Sequence, residues 1–284
     1  LGSCSDNENG IGGETSKYIT VSTSIGNMTR VATDAKGGQT FEEGDEISVY
    51  AWTGAPTVAP ETSERVVNNA INKLTNGSWI STPQMLWKNN REKHYFIGVY
   101  PTAAISDLSA GEYTFDANKQ TESDLLVAVN PDGLSYSADA QQTVPLTFTH
   151  VMAKLAVNLT YKNQWGGIPT VEKVVVGNAA KEATINYLTK VVTPSTTAKE
   201  DFSLPEITEN TKYVSVIIPQ EDVKQLTIVI GGKNFVYDNG TPFKLESGKI
   251  TTVNLEVGRD EIKLGDVKIT NWEDGSTFSG EALN

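Results

Sequence analysis

The residues of this chain with chemistry to offer are two histidines, one cysteine and a surplus of carboxylates. His94 and His150 lie 56 positions apart, each inside a strand-like run, and no Gly-x-Ser-x-Gly elbow supplies a nucleophile for either to activate. Both therefore read as structural histidines. With 35 Asp and Glu some pair must fall at glycosidase spacing by chance, and without a cleft such a pair says nothing about glycoside hydrolysis. Asn130-Pro131-Asp132-Gly133, Asp238-Asn239-Gly240 and Glu273-Asp274-Gly275 are rich in oxygen ligands. None has the alternating donors and distal Glu of a calcium loop, and turns use the same residues for backbone reasons. One Cys and two His are too few for a zinc, haem or iron-sulfur site, and a single Cys excludes an internal disulfide. The glycine pairs at 37–38, 166–167 and 231–232 lack both the Walker lysine-hydroxyl pair and the Rossmann spacing. The expectation is a protein with no catalytic residues, no metal and no cofactor.

Charge narrows the partners. Twenty-three Lys and Arg against 35 acids give a net charge of -12 and a pI near 4.7, which repels phosphate backbones and anionic lipid. Nucleic acid is not expected as a partner. Trp52, Trp79, Trp87, Trp165 and Trp272, together with ten Tyr, could form sugar-stacking platforms, although one buried indole removes on the order of 200 Å² from water and sandwich cores use Trp for that purpose.

The elements that must position these residues are strands. From Lys17 onward, short alternating runs rich in Val, Ile, Thr and aromatics are separated by Gly, Asn, Asp and Pro clusters, the all-β signature. Ile19, Val21, Thr23 and Ile25 share one face of a first strand; further strands are expected at 47–52, 95–100, 125–129, 171–176, 214–218, 226–230, 235–237 and 249–257. Val151, Ala153, Leu155, Val157, Leu159 and Tyr161 keep one parity over eleven residues. Gly231 and Gly232 suit a hairpin turn. In residues 62–74, Val67, Ala70, Ile71 and Leu74 also fit a short amphipathic helix, but the following Asn76-Gly77 suits a strand ending in a tight turn, and strand is the favoured reading. At 284 residues the chain has room for roughly two domains, each with its own core. A polar stretch ending at Pro145 suggests the division: a tether over 1–16, an N-terminal sandwich over 17–145 and a C-terminal one over 146–284.

Two resemblances add function. Leu1-Gly2-Ser3-Cys4 resembles the end of a bacterial lipoprotein signal peptide, where the thiol is acylated, and the polar, acidic, Gly-rich stretch after it suits a flexible tether. Thr29-Arg30-Val31-Ala32 followed by Phe41, Gly44-Asp45, Ile47 and Val49 resembles the opening of the fimbrillin, or Mfa-like, family of Bacteroidetes. Gly77-Ser78-Trp79, Leu86-Trp87 and Tyr95-Phe96-Ile97-Gly98-Val99-Tyr100-Pro101 are similar to its next segment. Phe148-Thr149-His150-Val151-Met152-Ala153-Lys154-Leu155 is similar to its "F-x-H-x-L-A-K-L" strand. Ile218-Pro219-Gln220, Gly248-Lys249 and Ile269-Thr270-Asn271-Trp272 follow in the family's order. The pattern departs at Val31, where the family commonly has alanine.

The resemblance implies two tandem transthyretin-like antiparallel β-sandwich domains in a surface lipoprotein of the type V pilus class, lipidated at Cys4 and exposed on the outer membrane. It implies proteolytic processing between Arg30 and Val31, loss of the first strand with Ile19, Val21 and Ile25, and replacement by a neighbour's C-terminal segment anchored by Val267, Ile269 and Trp272. The partners would be other pilus subunits, with the membrane touched only through the lipid. The alternative is a monomeric surface lipoprotein that binds glycan through exposed aromatics.

Overall fold

The structure, a computed structural model, describes residues 17–26, 40–136 and 142–272; Cys4, Arg30 and Val31 lie outside them. In chain order, the first part contributes β1 (Thr20–Ile25), β2 (Glu46–Thr53), β3 (Val67–Thr75), β4 (Ser78–Thr82), β5 (Lys93–Tyr100), β6 (Gly111–Thr114), a short helix α1 (Gln120–Ser123), β7 (Leu126–Ser135) and β8 (Thr143–His150). The second part contributes β9 (Ala153–Tyr161), β10 (Val171–Ala180), β11 (Glu182–Asn186), β12 (Val191–Pro194), β13 (Lys199–Ser203) and β14 (Glu206–Thr208). It continues with β15 (Lys212–Ile217), β16 (Gln225–Ile230), β17 (Lys233–Asp238), β18 (Lys249–Val257) and β19 (Ile262–Asn271). The protein is all-β, as its alternating runs require.

These strands form a seven-stranded sheet ordered β1-β8-β7-β5-β2-β3-β4, a four-stranded sheet β13-β10-β16-β17, a five-stranded sheet β14-β15-β9-β18-β19, and a three-stranded sheet β12-β11-β6. Neighbours pair antiparallel except β1 with β8 and β9 with β18. The expected strand parities hold. The β16–β17 hairpin turns through Gly231 and Gly232, whose φ values of 57° and 72° are the left-handed values that a type I′ turn needs.

Residues 67–75 are a strand, and the structure shows why they mimic a helix. Asn69 takes φ 54° and inserts an extra residue, so the ladder between β2 and β3 shifts register and Val67 and Ala70, three apart, both point into the core. A bulge has produced an i, i+3 spacing without a helical turn. Asn76 and Gly77, at φ 50° and 73°, then close the turn into β4.

The ladders and the core both cross the division expected between residues 145 and 146. The proposed boundary between residues 145 and 146 falls inside β8, which pairs with β1 from Thr143 to Phe148 and with β7 to His150, so the first sheet continues to His150. Nor does each part keep a core to itself. One cluster, with Ile47, Val49, Phe96, Leu146 and Phe148, belongs to the first part alone. The other joins Tyr50, Trp52, Ile97, Val99 and Val127 to Leu155, Val174, Val216 and Ile228 of the second part. The opposite faces of β2, β5 and β7 supply the two clusters, as period-2 strands buried on both sides must. β6 crosses the same seam by pairing four residues with β11.

Candidate functional site

β1 owes its position to three apolar side chains and two sets of backbone bonds. Ile19, Val21 and Ile25 are 3%, 6% and 7% exposed, and the last two stand opposite Val144 and Phe148 of β8. Ile19 N–H donates to Met85 O at 2.8 Å and Trp87 N–H to Lys17 O at 3.1 Å, so the chain entering β1 also binds the segment after β4. Thr23, on the same face, accepts a 3.0 Å hydrogen bond from Trp79 Nε1. β1, an end strand of the seven-stranded sheet, thus lies between β8 and the segment after β4 and covers a groove floored by Val144, Leu146, Phe148, Met85 and Trp87. Burial of its three aliphatic side chains contributes roughly 5–9 kcal/mol at about 1.5–3 kcal/mol each, an upper figure because unfolded chains already bury some surface.

β19 is held quite differently. Among the described residues it pairs only with β18, and nine of its ten residues are exposed. Leu264, Val267 and Ile269 are 40%, 37% and 38% exposed although they stand opposite the buried Leu255, Val253 and Thr251. They therefore extend the inward face of the sheet past the edge of what covers it. Val267 and Ile269 are not integral core residues, and they lie in a different sheet from Ile19, Val21 and Ile25.

Trp272 ends this exposed run and is 7% exposed. Its indole stacks on the His150 imidazole with centroids 3.9 Å apart and planes 9° from parallel, while Lys154 Nζ lies 4.1 Å from the centre of the ring. Its backbone N–H donates to Gly248 O at 2.8 Å. His150 Nδ1–H donates to Asp124 Oδ1 at 2.8 Å, and His150 Nε2 is buried with no hydrogen-bond partner among the described residues. Lys154 is 2% exposed, and desolvation holds its pKa down to about 8 against the pull of the Asp124 carboxylate. Sequence reasoning treated His150 as structural and did not connect it to Asp124, Lys154 and Trp272. The signal was present, since His150 and Lys154 lie in one of the family-like motifs and Trp272 ends another, but nothing in their spacing pairs them.

The remaining candidates within the described residues are accounted for locally; Glu273-Asp274-Gly275 lies outside them. His94 Nε2 accepts from Lys88 N–H at 3.1 Å, its Nδ1 meets Glu92 O at 3.1 Å, and burial lowers its pKa. Asn130 Oδ1 accepts from Gly133 N–H and Asp238 Oδ1 from Gly240 N–H, so these side chains serve their own turns. Trp52 and Trp87 are buried and Trp79 and Trp165 half-buried, so the five indoles do not form an exposed row for sugar stacking.

The fimbrillin-like family model matches residues 29–272. Among solved structures, a candidate cell adhesion protein from Bacteroides uniformis superposes with a TM-score of 0.67 at 17% identity, covering 90% of this chain and 100% of that one. A second such protein, from Bacteroides ovatus, gives 0.65 at 18% identity over 90% and 98%. A tip fimbrial protein from Porphyromonas gingivalis, solved with a C-terminal truncation, gives 0.53 at 12% identity over 81% and 95%. At these identities the structural likeness speaks to the fold. No curated protein matches the chain. The family match over most of the sequence is the firmer evidence, and by it the chain belongs to the fimbrillin-like family.

Proposed function

We propose that this protein is a subunit of a surface fimbria, or an adhesin associated with one, that assembles by exchange of β-strands. The observation that carries the reading is β1. It is a separate strand filling an apolar groove, and residues 27–39 link it to the rest of the fold. Cleavage after Arg30 would leave β1 held by noncovalent contacts alone. Loss of the strand would expose unpaired backbone groups of β8 and the apolar groove floor, a state that another chain must cover to avoid aggregation. The donor is the C-terminal segment from Asp266 to Phe278 of a neighbouring subunit. Its main chain would supply hydrogen bonds, and Val267 and Ile269, already exposed at the sheet edge, would set the register. Acylation of Cys4 would tether the protein to the outer membrane at the cell surface.

Treatment with an Arg-specific protease followed by denaturing gel analysis of samples heated over a range of temperatures tests the reading. Cut protein is expected to form heat-resistant oligomers, uncut protein to remain monomeric, and a variant lacking residues 266–284 to stay monomeric after cutting. Oligomers that form equally well without residues 266–284 would refute the donor assignment.

A further inference from the structure

We infer that Trp272 is a latch that holds the C-terminal strand on its own subunit, with His150, Lys154 and Asp124 as its catch. The geometry of the latch stands by itself; its consequence for assembly rests on the strand-exchange reading above.

β19 has little else to retain it. Among the described residues it has β18 as its one partner strand, and nine of its ten residues are exposed. A strand with so few buried contacts opens locally at far lower cost than the core strands. Trp272, directly after β19, is buried against His150 at the end of β8 and Lys154 in β9, and Asp124, after α1, holds His150 through Nδ1. The latch therefore ties the last strand to the first sheet across the seam.

The catch is itself fixed. Asp124 N–H donates to Gln120 O at 3.1 Å, and the Gln120 side chain donates to Ser215 Oγ at 2.9 Å and accepts from Val216 N–H at 2.8 Å in β15. The Asp124 carboxylate then sets the plane of the His150 ring, against which the indole lies 9° from parallel. Such a pre-set surface favours a flat aromatic at that position over an aliphatic residue.

The closed state is also opposed from within. His150 Nε2 is buried with no partner among the described residues, and Lys154 is held almost wholly out of solvent. Opening would rehydrate both groups and return part of what the stacking and cation–π contacts contribute. A firm pairing with a built-in opposing term gives a strand that stays home in the isolated subunit and can leave when a neighbour offers a better groove.

Hydrogen exchange on the full, uncut chain tests the latch without calling on assembly. In Trp272→Ala the amides of residues 262–271 are expected to exchange on the order of a hundredfold faster, while those of β9 and β15 keep their wild-type rates. Lys154→Met, which keeps the stack and removes the charge, should accelerate the same amides about tenfold, and it decides the matter if Trp272→Ala does not fold. Wild-type exchange in β19, or equal loosening of every strand, would overturn the latch. After Arg30 cleavage the two ideas part. A loosened β19 without polymerisation supports the latch and counts against strand exchange, whereas polymerisation with an unloosened β19 does the reverse.

Discussion

Replacing Ile25 by alanine measures how strongly the first strand is held. Ile25 is 7% exposed and faces Phe148 across the β1–β8 pair. A buried Ile→Ala change costs about 2–5 kcal/mol, depending on how well the site collapses. β1 ends a sheet, so its surroundings can relax, and the lower part of that range applies, about 2–3 kcal/mol. At about 1.4 kcal/mol per decade this is roughly a 30- to 150-fold change in an equilibrium constant. In the continuous chain the change should lower unfolding stability by that amount without producing oligomers, because a tethered strand rebinds at an effective concentration of about millimolar. In protein cut after Arg30 the tether is gone, and the N-terminal fragment should leave faster by a similar factor, as followed by native mass spectrometry. Ser22→Ala, at an exposed position of the same strand, serves as the control. Equal release rates for Ile25→Ala and Ser22→Ala fragments, or a loss of stability under about 0.5 kcal/mol in the intact chain, would refute the account of what holds β1.

Limited digestion with an Arg-specific protease should cut after Arg30 before Arg65 or Arg91. Arg65 donates to the carbonyls of Ile105 and Ser106 at 2.6 Å each, and Arg91 sits in a turn whose N–H groups bond to Asn89; early fragments ending at either residue would contradict the expectation. Expressed with a lipoprotein signal, the protein should partition into detergent and carry acyl chains, and Cys4→Ala should abolish both; a membrane-bound Cys4→Ala protein would remove the lipid anchor from the account. Burial raises the Tyr187 and Tyr161 phenols to about 12 and moves Tyr113 and Tyr213 up as well. A phenol whose folded value exceeds the unfolded value near 10 stabilises the fold fully below pH 10 and ceases to do so as pH rises to about 12. For Tyr187, 2% exposed, two units correspond to about 3 kcal/mol. Tyrosinate absorbance and far-UV circular dichroism should thus change together between pH 10 and 12; ionisation of all ten Tyr near pH 10 with the fold intact would refute this.

What the sequence made legible was periodic and local. Ile19, Val21 and Ile25, the six same-parity residues from Val151 to Tyr161, and the Gly231-Gly232 turn all follow from side-chain alternation and backbone freedom, which act within a few residues. Asn69 shows how one left-handed residue can make a strand look helical, and only the neighbouring Asn76-Gly77 tipped the reading back. The boundary at residue 145 was drawn on a polar, proline-bearing run, which looks the same whether it is a linker or, as here, the start of β8 at an exposed position. β6 could not be foreseen in the second part's ladder, since four residues carry no mark of the partner they choose. The latch was invisible for a related reason. His150 and Trp272 are 122 positions apart, and each is an ordinary buried residue until the fold lays one ring on the other.

The seam described above has a mechanical meaning. Beads joined by flexible string lengthen by straightening the string. Here four residue pairs between β6 and β11, the bonds Phe115 N–H to Lys181 O and Tyr187 N–H to Leu108 O, and a common core bind the two parts across their boundary. If subunits join by the proposed strand exchange, tension entering at the groove of β1 and leaving at β19 would be shared with this welded region. A filament of such subunits would be stiff along each link, and its give would lie in the joints between molecules.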